Sequence, residues 1–346
     1  MKKIIVLAIS LLLISCLPNG NEPVYVPNDT TKNLSKIAIG SCCSQAMNMF
    51  IFKSIVTKSP DLYIGMGDNI YSDLIPGPYN PSNQKLQYNK LAETYYFKLL
   101  RKSMPIIATW DDHDYGLNNA GNEFSLKDIS KKIFLDFWKD PADSDRRSRP
   151  GVYTSYLYGD AAHKVQIILL DCRYFLDVIS PEPITPTADL TKTILGEAQW
   201  AWLEQELQKP AKVRIVVSSS QLGIQNNGWE SWANYPHELN RFFNTIKSAH
   251  AEGLFVVSGD VHYAEFSKRS PEGQYPIYDF TSSGLTHKEN YPAPNMYRVG
   301  QAYNNINFGM INIDWAASPV QLSLDVCDKD GEVVRQQLIS LDELTF

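Results

Sequence analysis

The chain of 346 residues is 44% hydrophobic and 20% charged, with 32 Lys+Arg against 38 Asp+Glu and a formal net charge of -6. That balance fits a globular protein, and no linker-like stretch interrupts it after about residue 35, so one large domain is expected. The basic residues are not clustered in long runs, which argues against a general grip on nucleic acid.

Lys2 and Lys3 precede an apolar run from Ile4 to Ile14, too short to span a bilayer as a stable helix, and Ser15 and Cys16 follow. The pattern reads as a secretory signal over residues 1–15. Leu13-Ile14-Ser15-Cys16 resembles a bacterial lipobox, in which Cys16 is lipidated and becomes the new N-terminus. The expected protein is exported and anchored by lipid to the cell envelope. Residues 16–35 are polar, with Pro18, Gly20, Pro23 and Pro27, and read as a flexible tether to a folded domain over 36–346.

The first strand is expected over 36–40 and ends at Ser41-Cys42-Cys43. A helix over 47–56 has Met49, Phe52, Ile55 and Val56 at helical spacing, and Pro60 stops it. A strand over 62–66 runs into Gly67-Asp68-Asn69, and a long helix is expected over 84–101 after a turn rich in Pro, Gly and Asn. A strand over 106–110 delivers Trp110-Asp111-Asp112-His113-Asp114-Tyr115. Next come a helix over 126–138, a polar loop with Arg146, Arg147 and Arg149, and paired strands over 152–158 and 165–170 ending at Asp171-Cys172-Arg173.

Pro181, Pro183 and Pro186 mark a long surface loop before a helix opened by Gly196-Glu197 and closed by Lys209-Pro210. A strand over 214–217 ends at Ser218-Ser219-Ser220-Gln221, and the loop beyond it carries Trp229, Trp232 and Tyr235. A helix over 237–249 leads to a strand over 254–257, which ends at Ser258-Gly259-Asp260-Val261-His262. Strands over 275–281, 307–315, 320–326 and 333–339 finish the chain, the last two joined through Asp330-Gly331 as a hairpin.

With Cys16 assigned to lipid, Cys42, Cys43, Cys172 and Cys327 remain, and an exported protein can pair four cysteines in three ways. Adjacent Cys42 and Cys43 are hard to bridge to each other, which leaves a free thiolate open as a reading.

Apolar runs alternating with helices imply a largely parallel or mixed sheet, and ligands collect beyond the carboxyl ends of such strands. Five strand ends carry donors: Cys42, Asp68 with Tyr71, Asp112 with His113, Gln221, and Asp260 with His262. Singly each has a plain reading; Asp68 serves as a helix N-cap and His262 as a buried, hydrogen-bonded histidine. Together they have the chemistry of a metal site, thiolate and phenolate suiting iron while carboxylate, carboxamide and water suit calcium.

These residues carry a resemblance. Gly40-Ser41-Cys42, Gly67-Asp68-Asn69-Ile70-Tyr71, Thr109-Trp110-Asp111-Asp112-His113-Asp114, Leu170-Asp171-Cys172-Arg173, Leu195-Gly196-Glu197-Ala198-Gln199-Trp200 and Ser258-Gly259-Asp260-Val261-His262 resemble the alkaline phosphatase D family, a branch of the calcineurin-like metallophosphoesterases. The likeness runs in order over about residues 36 to 287 and implies an α/β fold of two mixed β-sheets packed as a sandwich and flanked by helices. It also implies a ferric ion and one or two calcium ions, with a zinc or manganese pair as the alternative. Cys42, Asp68, Tyr71, Asp112, Gln221, Asp260 and His262 would be the metal ligands, Asp68 bridging.

The chain has no room for the all-β N-terminal domain of longer members, so a compact subgroup is expected. Cys43 doubles the thiol, leaving the choice of ligand open, and Cys172 stands where threonine is expected. The implied reaction is hydrolysis of a phosphate ester by a metal-bound hydroxide, with Asp112 and His113 catalytic and His113 protonating the leaving alkoxide. Arg146, Arg147 and Arg173 are candidates for gripping phosphate oxygens, and Asp111 and Asp114 for orienting their neighbours. His287 is placed to reach the rim, and the loop from Trp229 to Tyr235 to wall the cleft. The expected substrates are phosphomonoesters or phosphodiesters. Alternatives are a phospholipase D-like phosphodiesterase at the membrane and a surface binding protein holding structural calcium.

Overall fold

The computed structural model describes residues 25–74, 78–179 and 189–346. The signal segment and Cys16 lie outside the described residues, as do the prolines of the loop over 180–188. In chain order the strands are β1 (Lys36–Gly40), β2 (Leu62–Met66), β3 (Ile106–Thr109), β4 (Thr154–Tyr158), β5 (Val165–Leu169), β6 (Val213–Ser218) and β7 (Leu254–Ser258). Then come β8 (Ala264–Arg269), β9 (Ile277–Ser282), β10 (Arg298–Tyr303), β11 (Asn307–Asp314), β12 (Gln321–Asp328) and β13 (Val333–Ser340). The helices are α1 (Ile51–Thr57), α2 (Pro81–Glu93), α3 (Tyr95–Ser103), α4 (Asp112–Tyr115), α5 (Lys127–Phe137), α6 (Asp145–Ser148), α7 (Gly196–Leu207) and α8 (Pro236–Ser248).

The strands form two mixed sheets, a six-stranded one in the order β13-β12-β11-β1-β2-β3 and a seven-stranded one in the order β10-β8-β9-β7-β6-β5-β4. β1, β2 and β3 run parallel in the first, and β5, β6, β7 and β9 in the second. Parallel strands covered on both faces read as unbroken apolar runs, and every residue of β2, β5, β6 and β7 is buried. One apolar cluster joins Ile37, Ile39 and Ile64 of the first sheet to Ile215, Val217 and Val256 of the second, and continues to Trp200 of α7 and Phe242 of α8. A second cluster seats Phe52, Leu91, Phe97 and Phe134, from α1, α2, α3 and α5, on Ala38, Tyr63 and Ala108 of β1, β2 and β3. Both sheets are thus clamped between helices, which fixes where their strands end.

Several elements differ from the sequence expectation. The helix over 84–101 is two helices broken at Thr94, whose ψ of 140° is extended, and the first is capped by Asn80 accepting from Ser82 N at 2.9 Å. β8 and β10 were not anticipated. Glu265 on β8 is buried and paired with Arg298 on β10 at 2.5 Å, so charged residues occupy inward positions that an apolar pattern would have marked. Residues 25–35, expected within the tether, lie against the domain: Val26 N donates to Arg101 O at 3.1 Å, and Asn28 Oδ1 accepts from Tyr158 Oη at 2.9 Å. Cys42, Cys43, Cys172 and Cys327 are buried free thiols. Among the described residues no helix is long and apolar enough to cross a membrane.

Candidate metal and catalytic site

Residues just past β1, β2, β3 and β7 converge on one cleft. Cys42 Sγ lies 3.4 Å from Asp68 Oδ2 and 3.1 Å from Ser283 Oγ. Tyr71 Oη lies 3.5 Å from the same carboxylate oxygen and 3.2 Å from His262 Nε2. Three sets of donor atoms each fall within 4.8 Å of one another: Cys42, Asp68 and His262; Asp68, Asp112 and His113; and Asp68, Asp111, Asp112 and Asp260. Asp68 belongs to all three sets, the position that a bridging carboxylate needs. Cys43 instead packs in the apolar cluster under α1.

The backbone is bent to aim these groups. Cys42, Asp68, Asp260 and His262 have φ of 59°, 48°, 77° and 62°, in the left-handed region that costs non-glycine residues of order 1–3 kcal/mol each. Each follows a buried strand closely, so a left-handed residue turns the chain at once and leaves the side chain over the strand ends. Close packing allows little else: a Cβ on Gly67, itself at φ 106°, would stand 2.7 Å from Asp111 Cβ.

Electrostatics define what the pocket suits. Burial pushes Asp68 and Asp260 well above the usual carboxylate range, helped at Asp68 by Cys42 and then the neighbouring aspartates and at Asp260 by Asp111 and Glu230. Burial lifts the Cys42 thiol to about 12. Burial also opposes charge on Asp112, but the Arg173 guanidinium leads the groups that hold its carboxyl below the usual value. Asp112 is further fixed by His113 N, donating to Oδ1 at 2.9 Å, and by Asn119 N, donating to Oδ2 at 2.7 Å. Arg173 is fully buried, ion-paired to Asp111 and Glu230, with Nη2 3.9 Å from Asp112. One guanidinium serves Asp111, Asp112, Glu230 and Asp260, and Asp68 has no share of it, so the donor set fits cations, which would let the acids and thiol ionise.

His113 Nδ1 is held by both oxygens of Asp73, at 2.7 and 2.8 Å. Burial disfavours the imidazolium, yet Asp112 and the Asp73 hydrogen bond raise it to about 9. His262 is the opposite: burial, then His287 and His113, holds it down to about 4, so its ring is neutral. His287 packs its ring against Tyr71, tilted by 40° at 4.6 Å, and stacks on His262 at 4.8 Å.

The remaining residues singled out in the sequence divide. Gln221 is buried beside the cleft, its Oε1 accepting from Asn227 Nδ2 at 3.3 Å and its Nε2 donating to Glu265 and Thr281 at 3.1 and 3.2 Å. Arg146 and Arg147, expected at the phosphate, are not brought to the cleft. Arg146 donates to Val152 O, Ala108 O and Asp140, and Arg147 to the carbonyls of Asp140 and Pro141 and to Asp136. The short α6 turns both back onto the end of α5, where these acceptors occupy the guanidinium groups. Asp114 bonds Asn69 Nδ2 at 2.6 Å and Asp111 N at 2.6 Å, bracing the turn beneath Asp112.

Sequence reasoning missed Asp73, Glu230 and Ser283. Asp73 carried a signal, an acid five residues past Asp68 in the same strand-end loop, whereas Glu230 lay hidden in an aromatic loop. The cleft has a volume of about 520 Å³ and is lined by His113, Asp260, His262, Trp229 and Glu230 among others.

The family model described as PhoD-like phosphatase matches residues 37–306. Alkaline phosphatase D of Bacillus subtilis (strain 168) is 23% identical over 253 residues, 61% of this chain, and the chain spans 42% of that relative's length. The structure of PhoD superposes with a TM-score of 0.70 at 17% identity, covering 90% of this chain and 69% of its own. GAP50, the anchor in the inner membrane complex of Plasmodium, shares the fold at a TM-score of 0.56 and 11% identity, with 89% of each chain covered. The family match spans most of the chain, including every candidate ligand, and the chain therefore belongs to the PhoD-like phosphatase family.

Proposed function

We propose that the chain is a metal-dependent phosphoric ester hydrolase acting on phosphomonoesters, phosphodiesters or both. One observation carries the reading: three sets of metal donors share Asp68, beside a histidine clasped by a carboxylate, in an open cleft. Cys42, Tyr71 and His262 would hold the cation suited to thiolate, phenolate and imidazole, iron, and Asp112 and Asp260 one suited to carboxylates, calcium, with Asp68 shared and Gln221 at the edge of the set. Bound cations would polarise phosphoryl oxygens and acidify water near neutral pH.

The chain's own residues supply the rest. Asp73 occupies His113 Nδ1, which leaves Nε2 as the ring atom able to protonate the leaving alkoxide. Arg173, paired with Asp111 and Glu230, positions Asp112 from below rather than gripping phosphate from the cleft. A surface protein that only holds calcium has no use for the Asp73–His113 pair, which favours the hydrolase. We further read the protein as exported and anchored through lipid on Cys16, on the pattern Leu13-Ile14-Ser15-Cys16.

Metal analysis of the purified protein, with p-nitrophenyl phosphate and bis(p-nitrophenyl) phosphate as substrates, tests the reading. Bound iron and release of nitrophenolate are expected, and a protein with neither would refute it. Labelled fatty acid should enter the wild-type chain in cells and not Cys16→Ala, and equal labelling would exclude the anchor.

A further inference from the structure

Two large aromatic side chains stand exposed at the mouth of the cleft, Trp229 at 57% and Tyr291 at 88%. Both line it together with His113, Asp260 and His262. They come from different loops, Trp229 from the one after β6 and Tyr291 from the one after β9, and these loops are fastened to each other. Gln225 Nε2 donates to Pro294 O at 3.0 Å, and Met296 N donates to Gln225 Oε1 at 3.0 Å. Arg298 Nη2 holds Ala293 O at 2.6 Å, and Asn234 Nδ2 holds Trp229 O at 3.0 Å. The exposed rings therefore sit on braced backbone, which lowers the entropy lost when a ligand stacks on them.

Charge narrows the ligand further. Among the described residues lining the cleft none is Lys or Arg. Asp112, Glu230 and Asp260 lie around the proposed cations and Arg173, but Glu289 lies outward of them on the Tyr291 loop. Its Oε1 accepts from Tyr291 N at 2.9 Å, and its own N donates to His262 O at 2.8 Å. A half-exposed carboxylate on the loop that carries Tyr291, at a mouth where the described lining residues include no Lys or Arg, repels a second anionic group.

We propose that Trp229 and Tyr291 form a subsite for the second organic group of a phosphodiester, a flat aromatic group without negative charge, and that Glu289 rejects an anionic one. The inference rests on the hydrolase reading above and adds to it a preferred substrate class. Aromatic stacking accounts for the ring pair, since each face offers area to any planar group without reading its hydrogen bonds.

Three diesters with one leaving group test this: ethyl, phenyl and 4-carboxyphenyl p-nitrophenyl phosphate, assayed with the full metal-loaded chain. Trp229→Ala and Tyr291→Ala should each raise KM for the phenyl ester about tenfold, leave the ethyl ester within about twofold and keep kcat. Glu289→Gln should improve kcat/KM for the carboxyphenyl ester about fivefold and leave the phenyl ester unchanged. All three side chains are exposed or half-exposed, so the fold should persist, checked by circular dichroism. Equal rises in KM for phenyl and ethyl esters would set the rings against the leaving group and overturn the subsite, as would unchanged KM values. Absence of nitrophenolate from all three esters with the wild type would instead remove the hydrolase reading and the subsite with it.

Discussion

Arg173→Met should destabilise the ion-free protein severely. Arg173 is 0% exposed, and its fork reaches Asp111 with Nε and Glu230 with Nη1, with Asp112 3.9 Å from Nη2. Removing one member of a buried ion pair costs about 3–5 kcal/mol, because the partner is left charged or must take up a proton. Two carboxylates lose their partner here, so the upper part of that range is expected, out of a total stability of about 5–15 kcal/mol. The assay is urea unfolding in excess chelator, so that cation binding does not mask the deficit by mass action. Arg173→Lys should fall between, since one ammonium cannot meet carboxylates at both ends of a fork. Arg173→Met with Glu230→Met should recover about 1–2 kcal/mol, one buried acid having been removed with its partner. A single Arg173→Met protein within about 1 kcal/mol of wild type would refute the account of Arg173 as the counter-charge of this site.

Asp68→Asn should abolish metal retention, measured by elemental analysis, whereas His113→Ala should keep the metals and lower kcat by ~10² to 10⁴; undiminished turnover would remove His113 from the mechanism. Asp73→Asn should lower kcat by about 10 to 100-fold with KM and metal content kept, since it loosens the ring without touching a ligand. Asp160, exposed on the β4–β5 turn, is held down to about 2 by hydrogen bonds from Asn33 and His163. Its contribution is therefore full above the ordinary value of 3.8 and lost as pH falls through about 2. The melting temperature of Asp160→Asn should trail wild type near neutral pH and converge with it at the acid end; a constant gap would dissociate the turn from this carboxylate.

The strand ends were legible because the strands that bear them are buried on both faces and read as uninterrupted apolar runs, so each polar residue just past a run marked an end. β8 was not legible: Ala264-Glu265-Phe266-Ser267-Lys268-Arg269 buries Glu265 and Ser267, whose pairing with Arg298 and Asn295 lies far along the chain. The break at Thr94 was hidden for a different reason. Glu93-Thr94-Tyr95-Tyr96 holds neither glycine nor proline, and tertiary packing of α3 against α1 sets the bend. Arg146, Arg147 and Arg173 look alike as residues near a phosphate site, and only their acceptors separate two arginines that brace α5 from one buried under Asp112. The Asp73–His113 pair joins two strand-end loops, a contact that no local pattern announces.

The candidate centre takes Cys42, Asp68 and Asp112 from the six-stranded sheet and Asp260 and His262 from the seven-stranded one. Cations seated there would act as a rivet through the sandwich, resisting separation of two halves that apolar contact and the Arg173–Asp111 ion pair already join. Stripping them should then loosen amides along β1, β2 and β7 together in hydrogen exchange, even though β7 and β1 share no hydrogen-bonded edge. The same placement makes the site a late arrival in folding, complete only after residues more than two hundred positions apart have met. Loading with metal would thus certify that both sheets have docked.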